Sequence, residues 1–142
     1  MVKNVHIYSS YDYQINKIQI HKLVLFLKKQ LNISINSLEI NFISREEIHK
    51  LNNKHLGHNY TTDILTFNYT RNNNNLEGEI FISFKDAFEN ANKFKVSLKN
   101  ELFRLVIHGI LHLVGLDDII EKDKIIMKER EDLLLNNFCK LF

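Results

Sequence analysis

His108-Gly109-Ile110-Leu111-His112-Leu113-Val114-Gly115-Leu116-Asp117-Asp118 is the stretch from which the fold is read. Residues four apart on an α-helix are rotated by about 40° and separated by about 6 Å along the axis. His108 and His112 therefore share one face, one turn apart, at the spacing of the two histidines in H-E-x-x-H zinc sites. Gly115 stands three residues after the second histidine, where a helix that must stop and turn places a glycine. A chain turning there can bring Asp117 or Asp118 back toward the imidazoles. Two nitrogens, one oxygen and room for water match a catalytic zinc site, because structural sites are usually closed by four protein ligands.

Outward from this stretch, Ser97 is a candidate N-cap for the helix and Glu101 falls in its first turns. Leu98, Leu102, Leu105, Val106, Ile107, Ile110, Leu111 and Leu113 spread apolar residues around most of the helix, which marks it as buried. Two imidazoles on a buried helix require polar partners, and a metal ion meets that requirement.

The preceding chain supplies a sheet. Val5 and Ile7 alternate with polar neighbours, as do Leu38, Ile40 and Phe42, so both segments read as strands. Between them, Ile20, Leu23, Val24, Leu27 and Leu31 form an amphipathic helical stripe. Strand, helix and strand at this length predict a parallel βαβ unit with a right-handed crossover. Ser44 and Glu47 form a capping box before Ile48 and Leu51. A strand runs from Asp63 to about Tyr69, followed by a polar loop at Asn72–Asn75 and a strand at Glu77–Ser83, paired antiparallel with the one before if they are neighbours. Ser83 and Asp86 open a helix with Phe84, Ala87, Phe88 and Ala91 inward. A last helix from about Glu121 has Ile126, Leu133 and Leu134 inward and Lys124, Lys128, Glu129, Glu131 and Asp132 outward. The expected architecture is a single α+β domain over residues 1–142: a small mixed four-stranded sheet, about five helices, and a central buried helix carrying the histidines.

Composition narrows the partners. The 44% hydrophobic and 25% charged content suits a soluble globular domain. No apolar run reaches the ~18 residues of a membrane span, and no secretory signal is evident at the N-terminus, so cytoplasm is the expected location and a membrane is not an expected partner. Cys139 is the single cysteine, so any metal site is built from histidines and carboxylates. A net charge of +2 permits a nucleic-acid partner without demanding one; Lys93, Lys95, Lys99 and Arg104 are the nearest basic residues preceding His108.

The His108–Asp118 stretch resembles the H-G-x-L-H-L-x-G-Y-D-H signature of the YbeY endoribonuclease family, the bacterial ribosomal RNA maturation factors. It matches at His108, Gly109, Leu111, His112, Leu113, Gly115 and Asp117. Leu116 replaces the usual Tyr, and Asp118 replaces the usual third metal-binding His. Residues 51–67 resemble the pattern L-N-x-x-Y-R-G-K-D-x-P-T-D-V-L-S-F, matching at Leu51, Asn52, Gly57, Thr62, Asp63, Leu65 and Phe67, with Leu56 where the family carries an Arg implicated in RNA cleavage. Glu77-Gly78-Glu79-Ile80 is similar to the family's G-D-I strand, with Glu79 in place of Asp. The resemblance implies a metal-dependent endoribonuclease that prefers single strands and acts in maturation of the small-subunit ribosomal RNA 3′ end and in ribosome quality control. It implies one Zn²⁺ per chain on His108, His112 and Asp118, with other divalent ions admissible, and partners in single-stranded and ribosomal RNA and the small subunit rather than DNA. His58, Asp63 and Glu79 are accessory candidates: His58 as a nearby source of positive charge, Asp63 in turn chemistry or catalysis, and Glu79 behind the metal ligands.

The residues also weigh against an alternative chemistry. In H-E-x-x-H proteases the Glu after the first His is the general base, but Gly109 has no side chain, so a peptidase would need a base from elsewhere, such as Glu79. Phosphodiester hydrolysis needs only activated water and charge stabilisation, which a metal supplies. A non-catalytic RNA-binding or ribosome-assembly factor with a stabilising zinc is the other reading, motivated by Leu56 and Asp118.

Overall fold

A computed structural model describes residues 2–11, 13–56, 62–70 and 72–141, with side chains only as far as Lys54 in the second span. The order of elements is β1 (Val5–Ser9), α1 (Lys17–Leu31), β2 (Ser34–Ile43), α2 (Arg45–Leu56), β3 (Ile64–Asn68), β4 (Asn75–Ser83), α3 (Phe84–Phe94), α4 (Leu98–Leu113) and α5 (Glu121–Leu141). The four strands form one sheet in the order β1-β2-β4-β3. β1 and β2 are parallel, as the βαβ spacing predicts, and β2 and β4 are parallel as well. β3 runs antiparallel to β4, with Phe67 opposite Glu79 and Asn68 opposite Gly78. The mixed α+β architecture read from the sequence is the one observed.

Local chemistry sets the ends of the helices. Asn16, Ser83 and Ser97 cap α1, α3 and α4 by accepting from the backbone N–H three residues on. At α2 the capping box is complete: Ser44 Oγ accepts from Glu47 N, and Glu47 Oε1 accepts from Ser44 N.

Alternation then divides the sheet. Leu76, Gly78, Ile80 and Ile82 are buried on one face of β4, where α4 packs. The opposite face is partly covered by α2, through Ile43, Ile48 and Leu65 with Leu51, Phe67 and Phe81. Two glycines let α4 approach the sheet. A Cβ on Gly109 would meet Ile80 Cδ1 at 2.9 Å, and one on Gly78 would meet the Phe67 carbonyl oxygen at 2.6 Å and Leu113 Cδ2 at 2.9 Å. Gly78→Ala is therefore expected to destabilise the fold by about 3 kcal/mol, the upper range for overpacking, because a backbone carbonyl cannot rotate away. The denaturant midpoint measures this; an unchanged midpoint would mean that β3 shifts without cost.

Two helices differ from the sequence expectation. On α5 the inward stripe is Met127, Glu131, Leu134 and Phe138, at i, i+4, i+7 and i+11, whereas Ile126 and Leu133 are exposed. Glu131, expected to face solvent, is 2% exposed. On α3, Ala87 and Ala91 are buried, but Phe88 is exposed and Phe84 stacks on Tyr13 with ring centroids 4.2 Å apart. Small residues face the crowded α3–α4 contact, which displaces the aromatic ring to solvent. Among the described residues, no helix is long and apolar enough to cross a membrane.

Candidate metal centre

The C-terminal end of α4 turns back on itself. Gly115 N donates to His112 O and Leu116 N to Leu111 O, each at 3.0 Å, the bond pair of a Schellman ending. Gly115 takes φ +105°, a backbone conformation that favours glycine. The reversal carries Asp117 and Asp118 toward the histidines. Asp117 Oδ1 accepts from Asp118 N at 2.7 Å and so braces the loop. The Asp118 carboxylate faces the imidazoles, with Oδ2 3.3 Å from His108 Nε2 and Oδ1 3.5 Å from His112 Nε2. The two Nε2 atoms are 3.0 Å apart.

These three side chains each offer one ligand atom, and all of those atoms lie within 4.8 Å of one another. The donor set suits a divalent ion. Two nitrogens this close need a cation or a shared proton between their lone pairs, and Asp118 adds the third donor. His108, His112 and Asp118 are partly exposed, so the set lies at the surface within reach of solvent.

Behind His108 stands a chain of charges. His108 Nδ1 faces Glu131 Oε2, and because a carboxylate accepts, the ring donates there and turns Nε2 toward His112 and Asp118. Glu131 Oε1 accepts from Arg104 Nη1 at 3.1 Å. Arg104 also grips Glu101 with a two-pronged contact, Nε to Oε1 at 2.8 Å and Nη2 to Oε2 at 2.6 Å. Both glutamates are 2% exposed. These hydrogen bonds, first of all those to Glu101, hold the guanidinium well above its ordinary pKa. Arg104 is thus committed inside the protein and is not part of an RNA-facing basic surface.

The accessory candidates fall elsewhere. Glu79 lies on the sheet face opposite α4, so it is not behind the ligands. It accepts the Tyr69 hydroxyl at 2.6 Å and pushes that phenol up to about 12. Strand parity is the reason: Gly78 and Ile80 face α4, so Glu79 cannot. Asp63 does not touch the histidines either. Its Oδ2 accepts from Asn90 Nδ2 at 3.1 Å and its carbonyl from Ser83 N at 2.9 Å, a bracing role at the mouth of β3. His58 lies outside the described residues, as does the side chain of Leu56. Glu131 and Glu101 were missed as site residues. The signal that would have revealed Glu131 is the Met127-Leu134-Phe138 stripe, which places it on the inward face.

Comparison with known proteins gives the family of the chain. The family model for Endoribonuclease YbeY matches residues 4–139. Endoribonuclease YbeY of Karelsulcia muelleri is 38% identical over 120 residues, 84% of each chain. That of Chlorobium phaeobacteroides is 32% identical over 138 residues, 97% of this chain and 96% of its own. A Thermotoga maritima protein solved in solution superposes with a TM-score of 0.64 at 28% identity, covering 94% of this chain and 88% of that one. With the model matched nearly end to end and such relatives spanning most of both chains, this chain belongs to the endoribonuclease YbeY family.

Proposed function

We propose that this protein is a zinc-dependent endoribonuclease that cleaves single-stranded RNA during maturation of the small-subunit ribosomal RNA, in the cytoplasm and in contact with the small ribosomal subunit. The observation that carries the reading is the convergence of His108 Nε2, His112 Nε2 and the Asp118 carboxylate at a partly exposed end of α4, in a chain whose relatives bear an endoribonuclease name. A divalent ion bound there supplies Lewis acidity and lowers the pKa of water toward neutrality.

The chain's own residues prepare the site for that chemistry. Glu131 orients the His108 ring through Nδ1, and Arg104 holds Glu131 in place. Asp117 and Gly115 hold the loop that presents Asp118. A carboxylate as third donor adds negative charge relative to three imidazoles, which makes ions with a stronger preference for oxygen more competitive. Gly109 packs on Ile80 and offers no base, which disfavours peptide hydrolysis.

The test is cleavage of end-labelled single-stranded RNA by zinc-loaded protein, beside His112→Ala prepared identically and beside DNA of the same sequence. RNA cleavage by the wild type alone, lost with chelator and restored by zinc, is expected. No cleavage by wild type carrying stoichiometric zinc would overturn the nuclease reading in favour of an RNA-binding assembly factor, the reading that Leu56 at the family's Arg position supports. Asp118→His, which restores the family's ligand, is expected to bind zinc at least as tightly as wild type in a chelator competition. Loss of metal in that variant would show a loop built for a carboxylate.

A further inference from the structure

We infer that Asn90 is a positioning residue for the metal centre, acting through Glu101, Arg104 and Glu131 on His108, and that it locks the segment entering β3 to that same chain. The inference rests on the metal-centre reading above.

Asn90 lies on α3, outside the ligand set and outside the three stretches that resemble the family pattern. Its Nδ2 donates to Glu101 Oε2 at 3.2 Å and to Asp63 Oδ2 at 3.1 Å. One amide therefore spans two carboxylates from different parts of the fold. The series runs unbroken from Asp63 to Asn90, Glu101, Arg104, Glu131 and His108. It crosses three helices, and each link constrains the next. Glu101 offers two oxygens to Arg104, and the Asn90 proton on Oε2 fixes the carboxylate plane that the guanidinium must match. A planar fork held on Glu101 in turn aims Nη1 at Glu131. The Glu131 oxygen that remains meets His108 Nδ1. Removing the amide lets Glu101 rotate and relaxes the aim of each later link. Asp63, held also through its carbonyl by Ser83 N, loses its side-chain anchor in the same event.

The test is a double-mutant cycle on zinc affinity, read by competition with a chromophoric chelator. Glu131→Gln is expected to weaken zinc binding by about 10- to 100-fold, the usual effect of an outer-shell partner. Asn90→Leu, one remove further out, is expected to weaken it by roughly fivefold in the wild-type background, and by less than about twofold beside Glu131→Gln, because its route to the metal is then already broken. Wild-type affinity in Asn90→Leu, or an equal loss in both backgrounds, would overturn the inference, the latter because it marks a general structural effect. If Asn90→Leu does not fold, Arg104→Lys serves instead. It keeps the charge but cannot bridge two carboxylates with a planar fork, so it is expected to reproduce the loss; folded Arg104→Lys with wild-type zinc affinity would overturn the inference. The metal-centre reading fails by a different result: a wild type that binds no zinc, or binding that survives His112→Ala.

Discussion

His112→Ala is expected to lose stoichiometric zinc and to cut RNA cleavage by at least about 100-fold, beyond the 10- to 100-fold typical of outer-shell changes. His112 supplies one of three donors, and its Nε2 sits 3.0 Å from that of His108 and 3.5 Å from Asp118. No other described histidine or carboxylate group completes a set of three with the remaining pair. The substitution should nevertheless leave the metal-free fold intact. The imidazole is 24% exposed, at the last turn of α4, and changes at such positions cost little when no buried partner is orphaned. Zinc should therefore distinguish the two proteins thermally. At a free concentration 100 times its dissociation constant it adds about 2.7 kcal/mol to wild type by mass action, and it should leave His112→Ala unshifted. Stoichiometric zinc in the variant, by elemental analysis, would defeat the ligand assignment.

How much of this was legible in the sequence depends on how local each cause is. Caps at Ser44, Ser83 and Ser97 need only the residue and its third neighbour, and all three are present. The Gly115 reversal is equally local, and it brings an aspartate to the histidines as the spacing predicts. Spacing alone leaves Asp117 and Asp118 open and the resemblance favours Asp118; its carboxylate faces the imidazoles, while Asp117 accepts from the loop's own N–H. Face assignments were harder. On α5 two apolar stripes one residue apart compete, and the one chosen by the packing includes a charge. Glu131 reads as a solvent residue until its partners are known, and they come from 23 and 27 residues away. Glu79 was misplaced for the opposite reason: it stands within a motif that resembles the family's, but a pleated strand sends it to the far face from Gly78 and Ile80. Arg104 counts among the basic residues near the histidines until its partners are known, because sequence shows charge but not pairing.

That pairing carries the second large effect. Arg104→Met is expected to destabilise the metal-free protein by about 3–5 kcal/mol, the cost of breaking a buried ionic group from one side. Glu101 and Glu131 would remain 2% exposed on adjoining helices without their shared cation. The contrast is Arg45, which also bridges two carboxylates, but neither is fully buried: Asp86 is 20% and Glu89 54% exposed. Arg45→Met should cost no more than about 1 kcal/mol. Denaturant titration of the two variants side by side measures the difference, and equal losses would mean that the Arg104 cluster is solvated in solution. A second comparison separates stability from function. Replacing the whole cluster with Glu101→Leu, Arg104→Met and Glu131→Leu should recover most of the lost stability, since packed apolar groups often match or exceed a buried ionic triad. Zinc affinity in that triple variant should stay about 10- to 100-fold below wild type, because nothing then holds His108 Nδ1. If zinc affinity recovers together with stability, the cluster is a folding element alone. If it does not, the buried charges are retained to aim one imidazole.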